Sequence, residues 1–264
     1  MKSEATLNRF KRIIEFRLRE IRVHETLLTI VDFGHDAAMA KLPRAIVPDV
    51  PHHVTQRGNR CQTVFFGDDD YRLYVELLGE HCRARKVAIW AWCLMPNHVH
   101  LILVPPSAEA MTMAIADTHR RYSFLVNRRQ GWRGNLWQGR FGSCAMDEPQ
   151  ALSALRYVER NPDRARLVSR PQDWPWSSAR AHLGLADDAL VRPRALDDLV
   201  PDWRRFLDDD PPGWQLDVLR EHVRTGRPLG TPAFVADLER QVGRQLTPAK
   251  RGRKRRGTPG SANG

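Results

Sequence analysis

Apolar and polar positions alternate along this chain in a pattern that switches between strand and helix periods. From Ala45 the pattern predicts an extended segment through Val54-Thr55, then a polar loop, Gln56-Arg57-Gly58-Asn59-Arg60. Asp68-Asp69-Asp70 should supply an N-cap and a negative first turn, opening a helix with Tyr71, Tyr74, Leu77, Leu78 and Cys82 on its core stripe. Val87 to Met95 reads as a strand, and Pro96-Asn97 turns it into a second one, His98 to Val104, as an antiparallel hairpin. Pro105-Pro106 stops that strand, residues 109–129 are helical, and Gly131 to Gly142 form a loop rich in glycine and tryptophan. A helix opens at Asp147-Glu148-Pro149 and runs to about Arg160, where Pro162 closes it because the residue before a proline avoids the helical region. Interleaved strands and helices predict an α+β sandwich with an antiparallel sheet. Beyond Trp174-Pro175-Trp176-Ser177-Ser178 the chain reads as helical and broken by prolines, with a last helix from Thr231-Pro232 carrying Phe234, Leu238 and Val242. Upstream, Leu7, Phe10, Ile14, Leu18 and Ile21 mark an amphipathic helix. The expected organisation is a helical extension over 1–38, a main domain over 39–180, a helical region over 181–246 and a disordered basic tail over 247–264.

The hairpin strand carries the first chemical signal. His98 and His100 are two apart, so on a strand they share one face while Val99 and Leu101 point away. Two imidazoles at that spacing present nitrogens to one point, as a metal requires. By contrast His52 and His53 are adjacent, should diverge, and are not expected to share a metal.

Charge sharpens the picture. The 264 residues hold 42 Lys plus Arg and a formal net charge of +11, a field that attracts polyanions. Most of the cations are arginine, which binds phosphate bidentately. Cys61, Cys82, Cys93 and Cys144 form no C-x-x-C pair, which argues against a disulfide framework and for a reducing compartment. No apolar run approaches the ~20 residues of a membrane span, and no signal peptide is visible. A soluble protein of the cytoplasm, associated with the nucleoid, is expected.

The helix before Pro162 supplies the second signal. Tyr157 and Asn161 are four apart and share a face. With Leu152, Leu155 and Val158 as the apolar stripe, Tyr157 is expected to point off the main core contact, where Ser153 and Ala154 leave room. A phenol is a competent nucleophile towards phosphorus. Two imidazoles and one amide oxygen make an incomplete shell suited to Mg²⁺ or Mn²⁺ acting on a phosphate; structural zinc would want four protein ligands. Tyr122 is the rival phenol, and its neighbours Phe124, Leu125 and Val126 make it read as packing or DNA-facing. Arg57, Arg60, Arg133 and Arg140 are candidates for holding a nucleic-acid backbone, and the loop around Asn59 for reading a short sequence. Trp132 and Trp137 could stack on unpaired bases at roughly 1–3 kcal/mol each, although Trp137 reads equally well as core. In the tail, Lys250, Arg251, Arg253, Lys254, Arg255 and Arg256 suit nonspecific phosphate binding.

These residues, with the motifs around them, resemble a known family. His52-His53-Val54-Thr55-Gln56-Arg57-Gly58-Asn59, Leu94-Met95-Pro96-Asn97-His98-Val99-His100-Leu101, Trp137-Gln138-Gly139-Arg140-Phe141, Arg156-Tyr157-Val158-Glu159-Arg160-Asn161-Pro162 and Trp174-Pro175-Trp176-Ser177-Ser178 occur in order between about Pro43 and Ser178. Together they resemble the single-tyrosine HUH transposases acting on single-stranded DNA, and within them the REP-associated tyrosine transposases. The resemblance implies a ferredoxin-like fold with a central antiparallel sheet. It implies His98 and His100 as metal ligands with Val99 between them, Tyr157 as nucleophile, and Asn161 in the third ligand place. Mobile relatives often carry Gln there, so the amide chemistry is kept with a shorter reach. The implied activity is cleavage and rejoining of single-stranded or hairpin DNA through a 5′-phosphotyrosine, by a monomer or a homodimer. The alternative is a domesticated protein that grips hairpin DNA without moving it; a metallohydrolase of small substrates leaves the charge unexplained.

Overall fold

The computed structural model describes residues 44–192, 196–209 and 213–247. The expectations for residues 1–38 and for the tail from 248 onward, including Lys250, Arg251, Arg253, Lys254, Arg255 and Arg256, lie outside the described residues.

Four strands and two long helices alternate in the order β1 (His52–Arg57), α1 (Asp68–Ala84), β2 (Ala88–Met95), β3 (His98–Val104), α2 (Ala108–Gln130) and β4 (Gly142–Ala145). The sheet order is β2-β3-β1-β4, with every neighbouring pair antiparallel. Two split β-α-β units therefore interlock, which is the ferredoxin-like arrangement. There follow α3 (Glu148–Glu159), α4 (Asn161–Arg164), α5 (Ala179–His182), α6 (Trp203–Asp208), α7 (Gly213–Thr225) and α8 (Pro232–Val242). Among the described residues no helix is long and apolar enough to cross a membrane.

Strand alternation sorts the side chains into two layers. Val54, Trp92, Leu94, Val99, Leu101 and Leu103 pack with Tyr71, Tyr74, Leu77 and Leu78 of α1 and Met111, Ile115, Tyr122 and Val126 of α2. On the other face, Ala91, Cys93, Met95, Ile102 and Cys144 pack with Ala151, Ala154, Leu155, Tyr157 and Val158 of α3. Because β3 is central and covered on both faces, its run is apolar at nearly every position, and the two histidines interrupt it. Residues beyond 180 join the second layer: Leu196, Val200, Trp203, Leu219, Val223 and Leu229 belong to the same buried cluster. Trp174–Ser178 covers the edge of β2, with Leu94 N–H donating to Trp176 O (2.9 Å) and Ser178 N–H to Trp92 O (3.0 Å).

Three local expectations differ from what forms. Gln56 and Arg57 are not loop but the last residues of β1, opposite Val99 and His98. α1 is capped by Gly67 with no side-chain bond; Asp68 and Asp69 act through their charge in the first turn, while the buried Asp70 accepts from Phe66 N–H (2.8 Å) and pairs with Arg129. β4 lies where a loop was expected to run directly into a helix. Its residues, Gly142-Ser143-Cys144-Ala145, lack β-branched side chains, and pairing with β1 makes them extended.

The end of β1 is tied to the β2–β3 hairpin through Gly58. Its N–H donates to Asn97 O (2.8 Å). A Cβ there would lie 2.3 Å from Gln62 O and 2.7 Å from Val64 Cγ1. Only glycine lets the chain leaving β1 pass this close to residues 62–64.

Candidate active site

β3 carries His98 and His100 onto the face covered by α3, with ring centroids 4.9 Å apart. His100 is buried and His98 is half-buried at the hairpin end. His98 Nδ1–H donates to Asn97 Oδ1 at 2.6 Å, leaving Nε2 as its lone-pair nitrogen. Asn161 Nδ2 donates to His100 Nε2 at 3.3 Å. A neutral His100 then carries its proton on Nδ1, which donates to His53 Nε2 at 3.0 Å. The proton of His53 falls on Nδ1, a buried atom with no partner among the described residues.

His53 is the residue that sequence reasoning passed over. The two adjacent histidines do diverge: His52 Nδ1–H donates to Val50 O (2.7 Å) and its Nε2 accepts from Val47 N–H (3.2 Å). His53 goes to the opposite face because of register. In the β1–β3 ladder Thr55 is opposite His100 and Arg57 opposite His98, so the odd-numbered residues of β1 share the histidine face. Parity alone would have found it, given the strand pairing.

α3 delivers the phenol. Its start is fixed by Asp147, which accepts from Gln150 N–H (3.3 Å) and from Thr231 N–H (2.8 Å). Its end is fixed by Glu159, fully buried, whose Oε1 accepts from Ser178 Oγ (2.7 Å) and from His182 Nδ1. His182 in turn stacks flat on Trp203 with centroids 4.0 Å apart. Between these anchors Tyr157 is only 7 % exposed. The expectation that it points off the core is corrected: Ala151 and Ala154 are small enough to bring the helix against the sheet, and the buried arc includes Tyr157, while Leu152 is only half-buried. The phenol ring stands edge-on to His100 (5.4 Å, 89°) and to His53 (5.9 Å, 71°). After Glu159 the helix kinks at Arg160, and Asn161 opens α4 facing His100. The four expected side chains, His98, His100, Tyr157 and Asn161, thus lie together.

Burial sets the electrostatics. It pushes His53 down to about 3, and burial followed by the Arg57 charge brings His98 down to about 4. His100 falls well below its ordinary value, first through burial and then through His53, His98, Arg57 and Arg220. All three imidazoles are neutral at pH 7, the state that ligates metal. Among the described residues no group of three or more His, Cys, Asp or Glu could hold a metal ion; the further oxygen donor beside the two imidazoles is the Asn161 carboxamide, whose Nδ2 lies 3.3 Å from His100 Nε2. Two neutral imidazoles and an amide fit a divalent cation with open positions. The bond from His100 to His53 is the outer support that ligating histidines usually have.

Comparison with known proteins now bears on this geometry. Residues 47–161 match the IS200-like transposase family. A transposase is a DNA-processing enzyme, and the matched segment contains all four side chains and ends at Asn161 itself. No curated protein matches the chain. Among solved structures, a REP-associated tyrosine transposase bound to a REP hairpin aligns at 19 % identity and TM-score 0.48, over 58 % of this chain and 98 % of that one. A protein of Deinococcus radiodurans R1 described as a candidate transposase aligns at 21 % identity and TM-score 0.33, over 46 % of this chain and 96 % of that one.

Beside the site, two loops form one surface. Gln138 N–H donates to Arg57 O and Asn59 N–H to Leu136 O, both at 2.8 Å, zipping residues 56–61 to residues 131–142. Arg57 at the end of β1 and Arg60, Arg133 and Arg140 on the loops are exposed, with Asn59 half-buried among them. Arg57 stands opposite His98, so this cationic surface begins at the His98 end of β3. Trp137 is corrected. It is 7 % exposed, with its ring against His119 (4.7 Å) and Tyr122 (5.9 Å), and offers no free face to a base. Trp132 is 42 % exposed and touches Phe66 edge-on. Tyr122 is core: fully buried, its hydroxyl donates to Val64 O at 2.7 Å.

Proposed function

We propose that this chain is a divalent-metal-dependent transposase that cleaves and rejoins single-stranded, hairpin-forming DNA through a 5′-phosphotyrosine on Tyr157. The observation that carries this reading is the Tyr157 ring standing edge-on to His100, whose Nε2 is also bonded to Asn161. A protein that merely grips DNA has no use for a buried phenol beside two neutral imidazoles and an amide.

His98, His100 and Asn161 would hold Mg²⁺ or Mn²⁺. When bound, such an ion supplies Lewis-acid polarisation of the scissile phosphate. The chain's own side chains do the rest. Arg57, Arg60, Arg133 and Arg140 hold backbone phosphates and bring the strand to the hairpin end of β3, with Asn59 among them. His53 keeps the His100 proton on Nδ1 and its lone pair on Nε2. Tyr157, held between two anchored helix ends, attacks phosphorus in line. Its oxygen bonds to phosphorus as the P–O3′ bond breaks; the phenol proton leaves to water and the 3′-oxygen is protonated. Attack by a different 3′-hydroxyl reverses the step and joins strands. All four site residues come from one chain, which favours action as a monomer, and a DNA substrate places the protein in the cytoplasm with the nucleoid.

End-labelled hairpin DNA tests this. With Mn²⁺ or Mg²⁺ the protein should cleave the single-stranded flank, attach itself to the 5′ side and leave a free 3′-hydroxyl, and EDTA should abolish the reaction. Cleavage that leaves a free 5′-phosphate, or that ignores EDTA, would refute it. Tight hairpin binding without cleavage would favour the domesticated binder.

A further inference from the structure

A residue far outside the matched segment reaches the nucleophile. Arg220 lies on α7, and its Cζ is 5.6 Å from the Tyr157 ring centroid. α7 is fixed in place by Leu219 and Val223, which are buried in the same cluster as Tyr157. It packs on β4 at Gly142, where a Cβ would lie 3.2 Å from Val223 O and 3.1 Å from Thr55 Oγ1. The missing side chain at 142 is thus what lets α7 approach the sheet. Asp217, one turn back, accepts from Arg220 Nη1 at 2.9 Å and orients the guanidinium. The side chain remains 55 % exposed, so its other N–H groups face solvent where a substrate would arrive.

We infer that Arg220 is a further catalytic residue, a guanidinium that holds the Tyr157 phenol for attack and binds the non-bridging oxygens of the scissile phosphate. This rests on the reading of Tyr157 as nucleophile. The guanidinium stays charged at any working pH and offers five donors in a planar fork, enough for a phenol oxygen, a carboxylate and a phosphate together. The neighbouring Tyr157, ahead of the opposing cost of burial, raises Arg220 above its ordinary value, and the positive charge is felt at His100. In the forward step, bond formation from the phenol oxygen to phosphorus and loss of the 3′-oxygen gather negative charge on the equatorial oxygens, where a fixed cation is most effective. In the reverse step the phenol oxygen departs, and the same cation stabilises it as it leaves. The C-terminal helices thereby become part of the active site.

The test measures adduct formation in a single turnover at saturating hairpin DNA and Mn²⁺, with DNA affinity measured in a Tyr157→Phe background that cannot react. Arg220→Gln should slow the saturated rate by about a hundredfold and leave affinity within about threefold, since one phosphate contact among many carries little of the binding. Arg220→Lys, which keeps the charge and loses the fork, should recover part of the rate. Melting temperatures of both variants should match the wild type because the side chain is half exposed. A Gln variant that reacts as fast as wild type, or whose whole loss lies in affinity, overturns the assignment of Arg220 alone. A wild-type protein that forms no adduct overturns the proposed function and this inference with it.

Discussion

Replacing His98 and His100 together by alanine is expected to cut strand cleavage at least about a thousandfold. A Lewis acid at a scissile phosphate contributes several kcal/mol, and about 4 kcal/mol corresponds to a factor of a thousand. With both imidazoles gone, Asn161 would be the sole remaining donor of the set. Mn²⁺ binding, followed by electron paramagnetic resonance, should vanish alongside activity. His98→Ala is the cleaner single change, because His98 is half-buried and its bond is to the neighbouring Asn97. His100→Ala also strands the buried His53 Nε2 and Asn161 Nδ2, at a cost of about 1–3 kcal/mol each, so its melting point should fall. His53→Leu removes the acceptor that fixes the His100 tautomer. It should weaken Mn²⁺ binding by about tenfold to a hundredfold while His98, His100 and Asn161 all remain. Full activity and unchanged Mn²⁺ binding in the double variant would mean that the cleavage chemistry lies elsewhere.

A second large effect is acid lability. His52, His53, His100 and His119 are buried, and burial is the first cause holding each below its ordinary value of 6.5: His52 to about 4, His53 and His119 to about 3, and His100 well below it. Above pH 6.5 neither the folded nor the unfolded chain protonates them. Between 6.5 and the depressed folded values, the unfolded chain takes up protons that the folded chain refuses, so stability falls as pH falls. Each group contributes about 1.4 kcal/mol per pH unit, and four together give a slope of about 5 kcal/mol per unit. The loss accumulated by pH 5 is therefore comparable with the whole stability of an ordinary domain, about 5–15 kcal/mol. Urea midpoints at pH 7.5, 6 and 5 in EDTA should drop steeply, and Mn²⁺, which binds only the folded site, should move the drop to lower pH. A flat midpoint from pH 7.5 to 5 would contradict the set of neutral buried imidazoles.

The elements that position the site were readable where a single layer dictates the pattern. β3 declared itself by a run that is apolar except for its two histidines, because it is covered on both faces, and α1 by a stripe in which Tyr71, Tyr74, Leu77, Leu78 and Cys82 are all buried. β4 carried no signal, since four small residues become a strand only through pairing with β1. The setting of Tyr157 was misread because helical periodicity favours large residues as the contact, whereas Ala151 and Ala154 make the close approach. Trp137 was undecided for a related reason: a glycine-rich loop suggests exposure, and the pocket formed by Tyr74, His119 and Tyr122 is tertiary. His53 needed the strand register, and Arg220 needed the packing of a helix whose own sequence bears no catalytic motif. The pairing of His98 with His100 was legible because spacing on one strand places both rings on one face, and Tyr157 and Asn161, four apart, stay close across the kink at Arg160 that separates α3 from α4.

Everything rests on one phenol, two imidazole rings and a carboxamide converging on a single phosphate. Digesting the adduct formed between the wild-type protein and hairpin DNA, and sequencing the nucleotide-bearing peptide by mass spectrometry, addresses that directly. The modified residue should be Tyr157, linked to a 5′-phosphate. Nucleotide attached to Tyr122 or to any other side chain would contradict the account.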